Sequence, residues 1–219
     1  MTDRAVSVGY VGLGNLGVHL AASLLRAGHT VTVTDLHPEA AAPLLAAGAH
    51  WADTAKAVGE ASDVVFTCLP SPAAVNAVMC GPDGVLAGLR AGGTWIDNST
   101  NDRDETLRLA ALAEAVGVRT LEAPVTGGVH LAARGEITVL VGGEKELFEL
   151  HRPALRSIGN KIFHMGPIGS AAVIKVITNM LAFIHLVADA EALMLAKRGG
   201  LDLAQAWKAI TASSGTSFV

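Results

Sequence analysis

Short β-branched runs alternate with longer Ala/Leu-rich stretches from residue 5 to about residue 165. The runs have strand character at 5–10, 30–34, 64–68, 94–97, 119–123, 137–142 and 160–164, and helical spacing falls between them at 15–27, 38–47, 72–79, 103–116 and 144–156. Strand and helix in this alternation read as parallel βα units, whose crossovers place helices on both faces of one sheet. The fold class expected over residues 1–165 is therefore α/β, a doubly wound parallel sheet.

The pattern changes after Pro167. From Ile168 to Arg198 there is no proline and a single glycine, until Gly199-Gly200. Val173, Ile177, Leu181, Ile184 and Ala188 recur at helical spacing in a stretch that is apolar almost all round, which predicts a long helix buried on several sides. Leu201-Asp202-Leu203 opens another helix with Asp202 as its cap. Residues 166–219 thus read as a connecting helix and the start of an all-helical unit. That unit looks incomplete at Val219, so either further chain or a partner chain is expected to cover the long helix.

Composition narrows the classes. Sixteen Lys plus Arg face twenty Asp plus Glu, and no basic run suited to a phosphate backbone is present, which argues against nucleic acid as a partner. The apolar residues, 51% of the chain, read as short runs rather than as a 20-residue span, so no membrane segment is expected. Met1-Thr2-Asp3-Arg4 lacks the organisation of an export signal, and a cytoplasmic protein is expected. Cys68 and Cys80 have neither metal-ligand nor redox spacing and read as inert thiols.

The strongest local signal is Gly9-Tyr10-Val11-Gly12-Leu13-Gly14-Asn15-Leu16-Gly17, which follows an apolar run and opens a helix. Gly12, Gly14 and Gly17 have G-x-G-x-x-G spacing, suited to a tight turn, close approach of a pyrophosphate to backbone N–H groups, and close helix–strand packing. Asp35 ends the next strand, where a carboxylate accepts hydrogen bonds from an adenosine ribose and repels a 2′-phosphate. No arginine follows it in Leu36-His37-Pro38-Glu39, so NAD is preferred over NADP. Leu69 and Pro70, after the third strand, are expected to line the cofactor cleft together with Leu13, Asn15, Leu16 and Thr94.

Three polar segments remain: Asp97-Asn98-Ser99-Thr100, Glu122 through Gly128, and Lys175 with Asn179. Lys175 and Asn179 are four apart on one helix and share a face, and in such apolar surroundings they need partners. Thr126-Gly127-Gly128 offers a hydroxyl and unencumbered backbone N–H groups to a carboxylate, and Ser99 can add a donor. A lysine beside the carbon that gains or loses hydride can exchange the proton of its oxygen, which is general acid–base work.

These motifs, in this order, resemble the β-hydroxyacid dehydrogenase family, which includes 3-hydroxyisobutyrate dehydrogenases and tartronate semialdehyde reductases. Gly169, Glu191-Ala192 and Gly200-Leu201-Asp202 extend the resemblance along essentially the whole chain. It implies a Rossmann domain joined by a long helix to an all-helical domain, NAD as cofactor, no metal, and a small 3-hydroxy carboxylate as substrate. It also implies a homodimer or homotetramer, Lys175 as catalytic lysine, Asn179 as substrate ligand, and Ser99, Thr126, Gly127 and Gly128 as the carboxylate cradle. Many relatives have a small hydroxyl residue where this chain has Glu136, and His130 and Arg134 have no assigned role. Three other readings stand beside it. Imine reductases share the loop and layout but generally lack the lysine, 6-phosphogluconate dehydrogenases use a similar lysine but need, for a substrate phosphate, basic partners that this sequence does not display, and a non-catalytic nucleotide-binding module could keep the fold alone.

Overall fold

The computed structural model describes residues 6–216. In chain order it forms β1 (Ser7–Val11), α1 (Gly17–Arg26), β2 (Thr30–Thr34), α2 (Ala42–Ala46), β3 (His50–Trp51), α3 (Ala55–Glu60), β4 (Val64–Thr67), α4 (Pro72–Cys80) and α5 (Val85–Gly88). Then come β5 (Thr94–Asp97), α6 (Arg103–Ala115), β6 (Arg119–Glu122), β7 (Val125–Thr126), α7 (Val129–Arg134), β8 (Thr138–Gly142), α8 (Lys145–Ile158), β9 (Lys161–Gly166), α9 (Ser170–Arg198) and α10 (Leu203–Thr211). All the strands and helices expected from the pattern are present, although residue 5 of the first strand lies outside the described residues.

The strands form one sheet in the order β3-β2-β1-β4-β5-β6-β8-β7, with β9 on the outer side of β8. Successive residues of a strand face opposite sides, so β4 sends Phe66 to one core and Val65 to the other, and β5 divides Ile96 and Trp95 in the same way. Helices therefore cover both faces, as a doubly wound sheet requires.

The expectation of an all-parallel sheet is corrected. β8 runs antiparallel to β6 and β7, with Glu122 opposite Gly142 and Val125 opposite Val139. The chain reverses through Gly127 and Gly128 into the short α7, which is a hairpin-like return and not a crossover. The sheet is a Rossmann-like mixed sheet, followed by a C-terminal helical region.

Two compact units divide within α9, the first ending at Val176 and the second starting at Ile177. α9 corrects two further expectations. Its buried residues are Ala171, Ala172 and Lys175, while Val173, Ile177, Leu181 and Ile184 are exposed, so the helix is not enclosed on several sides by the described residues. It is also long and apolar enough, by length and composition alone, to span a bilayer. The eye misses this in the sequence because Lys175, Asn179 and His185 interrupt the run. Asp202 caps α10 as expected, accepting from the Gln205 N–H at 2.8 Å.

Candidate active site

The three motif glycines are needed for different reasons. Gly12 has φ +95°, and a Cβ there would sit 2.3 Å from the Cys68 carbonyl oxygen. At Gly17 a Cβ would sit 2.0 Å from the Gly12 carbonyl oxygen. Both are demanded by the fold. Around Gly14 nothing lies within 4 Å of an added Cβ, so the protein itself leaves that space clear for a ligand. α1 starts beside it with no side-chain cap and no acidic residue in its first turn, which suits a pyrophosphate.

Asp35 is tied to this loop. One carboxylate oxygen accepts from the Leu13 N–H at 2.5 Å and the other from the His37 N–H at 2.9 Å. Leu36, next along, is 95% exposed. An apolar side chain so fully in solvent is a feature the sequence reading passed over.

Strand register gathers the remaining loops. Thr34 pairs with Val11, Val11 with Thr67, Thr67 with Asp97, and Asp97 with Glu122. The carboxyl ends of β2, β1, β4, β5 and β6 thus form one row, the edge at which open α/β sheets bind ligands. Asp35, Leu69 and Ser99 follow directly from it.

A buried polar network fixes this edge. The Thr67 hydroxyl and the Ser99 N–H both donate to Asp97 Oδ1, at 2.8 and 3.0 Å, and the Trp95 indole donates to Thr67 at 2.9 Å. Burial pushes the Asp97 carboxyl upward, against the lowering effect of its Ser99 and Thr67 donors. The Ser99 hydroxyl accepts from the Leu69 N–H at 2.9 Å and donates to the Asp97 carboxylate, so Ser99 anchors the Leu69-Pro70 loop to the end of β5. Tyr10 donates to Asn98, which donates in turn to the Ala123 carbonyl. Cys68, beside Tyr10, is pushed up to about 12 by burial, which makes it an inert thiol.

Thr94 is the exception among the expected cofactor contacts. It pairs with Val64 and Arg119 at the opposite, amino ends of the strands. It is 1% exposed, and its hydroxyl is shared with His151 Nε2 at 2.9 Å. As the first residue of the 94–97 strand, Thr94 falls at the end away from the ligand edge. Burial, with Arg119 nearby, holds the His151 imidazole down at about 4.

Gly127 and Gly128 have φ +126° and +85° and are exposed, so their backbone is presented to solvent in a conformation that L side chains resist. His130 leans over them, its ring 3.3 Å from where a Gly128 Cβ would be. Arg134 pairs with Glu136 at 3.0 Å. Thr126 is half-buried at the end of β7.

Lys175 lies one turn into α9 and is 8% exposed, and burial lowers its pKa. Asn179 follows one turn later and is half-buried. Glu122, quoted in the sequence reading without a role, closes the start of this helix. Its two oxygens accept from the Ala171 and Ala172 N–H groups, each at 2.8 Å. The available signal was the lack of any acidic residue in the first turn of α9, which leaves its N–H groups to be satisfied from elsewhere.

The family model described as the NAD binding domain of 6-phosphogluconate dehydrogenase matches residues 7–166. The model described as NAD-binding of NADP-dependent 3-hydroxyisobutyrate dehydrogenase matches 169–219. The chain is 41% identical over 215 residues to 3-hydroxyisobutyrate dehydrogenase of Pseudomonas aeruginosa, covering 98% of this chain and 71% of that protein. It is 36% identical over 216 residues to 2-(hydroxymethyl)glutarate dehydrogenase of Eubacterium barkeri, covering 99% of this chain and 72% of that protein. A solved structure of Mycobacterium tuberculosis 3-hydroxyisobutyrate dehydrogenase with L-serine superposes with a TM-score of 0.88 at 35% identity, over 97% of this chain and 72% of that one. The chain belongs to the β-hydroxyacid dehydrogenase family of NAD-binding proteins, and it is an NAD(P)-dependent oxidoreductase.

Proposed function

We propose, from this membership, that the chain oxidises a small 3-hydroxy carboxylate with NAD in preference to NADP, or reduces the matching aldehyde acid, and that Lys175 moves the proton. The observation that carries the reading is the burial of Lys175. On a helix that leaves Val173, Ile177 and Leu181 in solvent, the buried face holds Ala171, Ala172 and a lysine. Burying an amine in place of any of those apolar side chains is unfavourable for stability alone.

The nicotinamide, when bound, supplies the hydride acceptor or donor. The Gly12–Gly17 turn and the start of α1 would hold its pyrophosphate, and Asp35 would accept from the adenosine ribose, with Leu36 offering an apolar surface to the adenine. Asp35 favours NAD because its carboxylate would repel a 2′-phosphate. Thr126, Gly127 and Gly128 would hold the substrate carboxylate through a hydroxyl and open N–H groups, joined by Ser99, and Asn179 is the further substrate ligand that the family resemblance implies.

Oxidation of an alcohol to an aldehyde removes a hydride and a proton. Burial lowers the pKa of Lys175, which enlarges the neutral amine fraction that accepts the alcohol proton, and the reverse reaction returns it from the ammonium. Three relatives support the substrate class, since 3-hydroxyisobutyrate, 2-(hydroxymethyl)glutarate and L-serine each carry a hydroxymethyl group next to a carboxylate. A homodimer or homotetramer fits the same reading, since a second copy would cover the exposed apolar side of α9.

The test follows reduced nicotinamide by absorbance with 3-hydroxyisobutyrate, L-serine, glycerate and 2-(hydroxymethyl)glutarate, each with NAD and with NADP. Turnover of at least one acid, faster with NAD, is the expected outcome. NAD binding without turnover of any of them would reject the substrate class.

A further inference from the structure

We infer that Glu122 is a positioning residue for the proton-transfer chemistry, holding the face of α9 that carries Lys175. The inference rests on the role proposed for Lys175.

Glu122 ends β6, in the row of strand ends that forms the ligand edge. Its carboxylate is 3% exposed and spans the first turn of α9, with one oxygen on the Ala171 N–H and the other on the Ala172 N–H. Residues three and four positions apart share a helix face, so Ala171 and Ala172 are on the face of Lys175, and these three are the buried residues of α9. Helical side chains tilt toward the N-terminus, which brings the lysine stem back along the turn that Glu122 grips. A bidentate grip fixes both the axial position of the helix and its rotation.

The sheet makes room for this grip. A Cβ at Gly142, the residue opposite Glu122 on β8, would lie 2.1 Å from Glu122 Oε1. Burial raises the pKa of Glu122, opposed by the N–H groups of Ala171, Ala172 and Gly169. Three backbone donors thus converge on the carboxylate at the start of α9.

The test compares kcat, the pH profile of kcat, NAD affinity and melting temperature for Glu122→Gln, Glu122→Asp, Gly142→Ala and Lys175→Ala in the full chain, with the acid that the wild type oxidises. In Glu122→Gln the amide turns one acceptor into a donor, and kcat is expected to fall about 10- to 100-fold through misplacement of the lysine. NAD affinity should stay within about twofold, since the cofactor loop is untouched. The limb of the pH profile that Lys175→Ala abolishes should stay in place while kcat falls, which marks a displaced lysine and not a changed charge. Gly142→Ala should reproduce the fall in kcat by pushing the carboxylate off its donors. Glu122→Asp keeps the acceptors one methylene shorter, so it should lower kcat less than the glutamine does, and it decides the matter if the glutamine variant does not fold. A lower melting temperature with kcat unchanged would reduce Glu122 to a structural cap and overturn the inference while the role of Lys175 stood. Normal turnover by Lys175→Ala would remove the premise itself.

Discussion

The starts of α1 and α9 face the same physical problem and are treated in opposite ways. Each exposes unsatisfied N–H groups and the positive end of a helix dipole. At α9 the protein supplies its own anion, the Glu122 carboxylate bound by Ala171 and Ala172. At α1 no side chain caps the helix, the first turn has no acidic residue, and the space beside Gly14 is clear. One terminus is spent on fixing the helix that bears Lys175, and the other is the one proposed to receive an anion from outside. A helix start left without a carboxylate is thus informative when a neighbouring glycine has no reason within the protein to be glycine.

The glycine loop offers the sharpest way to break this contrast. Gly14→Ala should weaken NAD binding about 10- to 100-fold by crowding the pyrophosphate, yet move stability by no more than about 0.5 kcal/mol. Gly17→Ala should do the reverse, destabilising the fold by about 1–3 kcal/mol or more, because its Cβ would collide with the Gly12 carbonyl. Calorimetric titration of NAD beside thermal unfolding separates the two. Equal losses of affinity and stability in Gly14→Ala would mean that the space is structural.

A smaller effect is expected at the ribose. Asp35→Asn should weaken NAD about tenfold and narrow the preference over NADP, measured as the ratio of kcat/KM for the two cofactors. Asparagine keeps one acceptor oxygen for the Leu13 N–H, so the loop should survive. An unchanged ratio would remove Asp35 from cofactor choice.

A separate effect, read in stability alone, belongs to the other edge of the sheet, away from both helix starts. His151 stays neutral in the fold down to about 4, against an ordinary value of 6.5. Between these values the unfolded chain binds more protons than the folded one, so stability falls as the pH is lowered from about 6.5 towards 4, by up to about 3 kcal/mol. Denaturant midpoints across that range check it, and His151→Gln should flatten this part of the profile. The same slope with glutamine would assign the loss to other groups.

Much of the fold was legible because its larger units are periodic. The β2 run Thr30-Val31-Thr32-Val33-Thr34 and the amphipathic face of α8 carry their patterns in single stretches of chain. The two-residue β3 and β7 and the short α3, α5 and α7 are too brief to show a period. The direction of β8 left no mark in the strand itself, since side chains alternate identically in parallel and antiparallel strands. Only the paired glycines at 127 and 128 pointed to a return instead of a crossover.

The site was legible where chemistry is local. The Gly12–Gly17 turn and the Asp35 strand end could be read directly, and the polarity of Lys175 stood out against its apolar neighbours. Glu122 could not be read, because the amides it binds are 49 and 50 residues away. Thr94 opens the 94–97 run, so its place at the amino end of β5, away from the carboxyl ends where ligands bind, was already legible in the sequence.

The central claim is that Lys175 performs chemistry and does not merely support the fold. NAD should be titrated into the wild type and Lys175→Ala, and formation of reduced nicotinamide followed in the same samples with the acid that the wild type oxidises. The account predicts retained NAD affinity with turnover lowered by about 10²- to 10⁴-fold in the variant. Wild-type turnover by Lys175→Ala would contradict it.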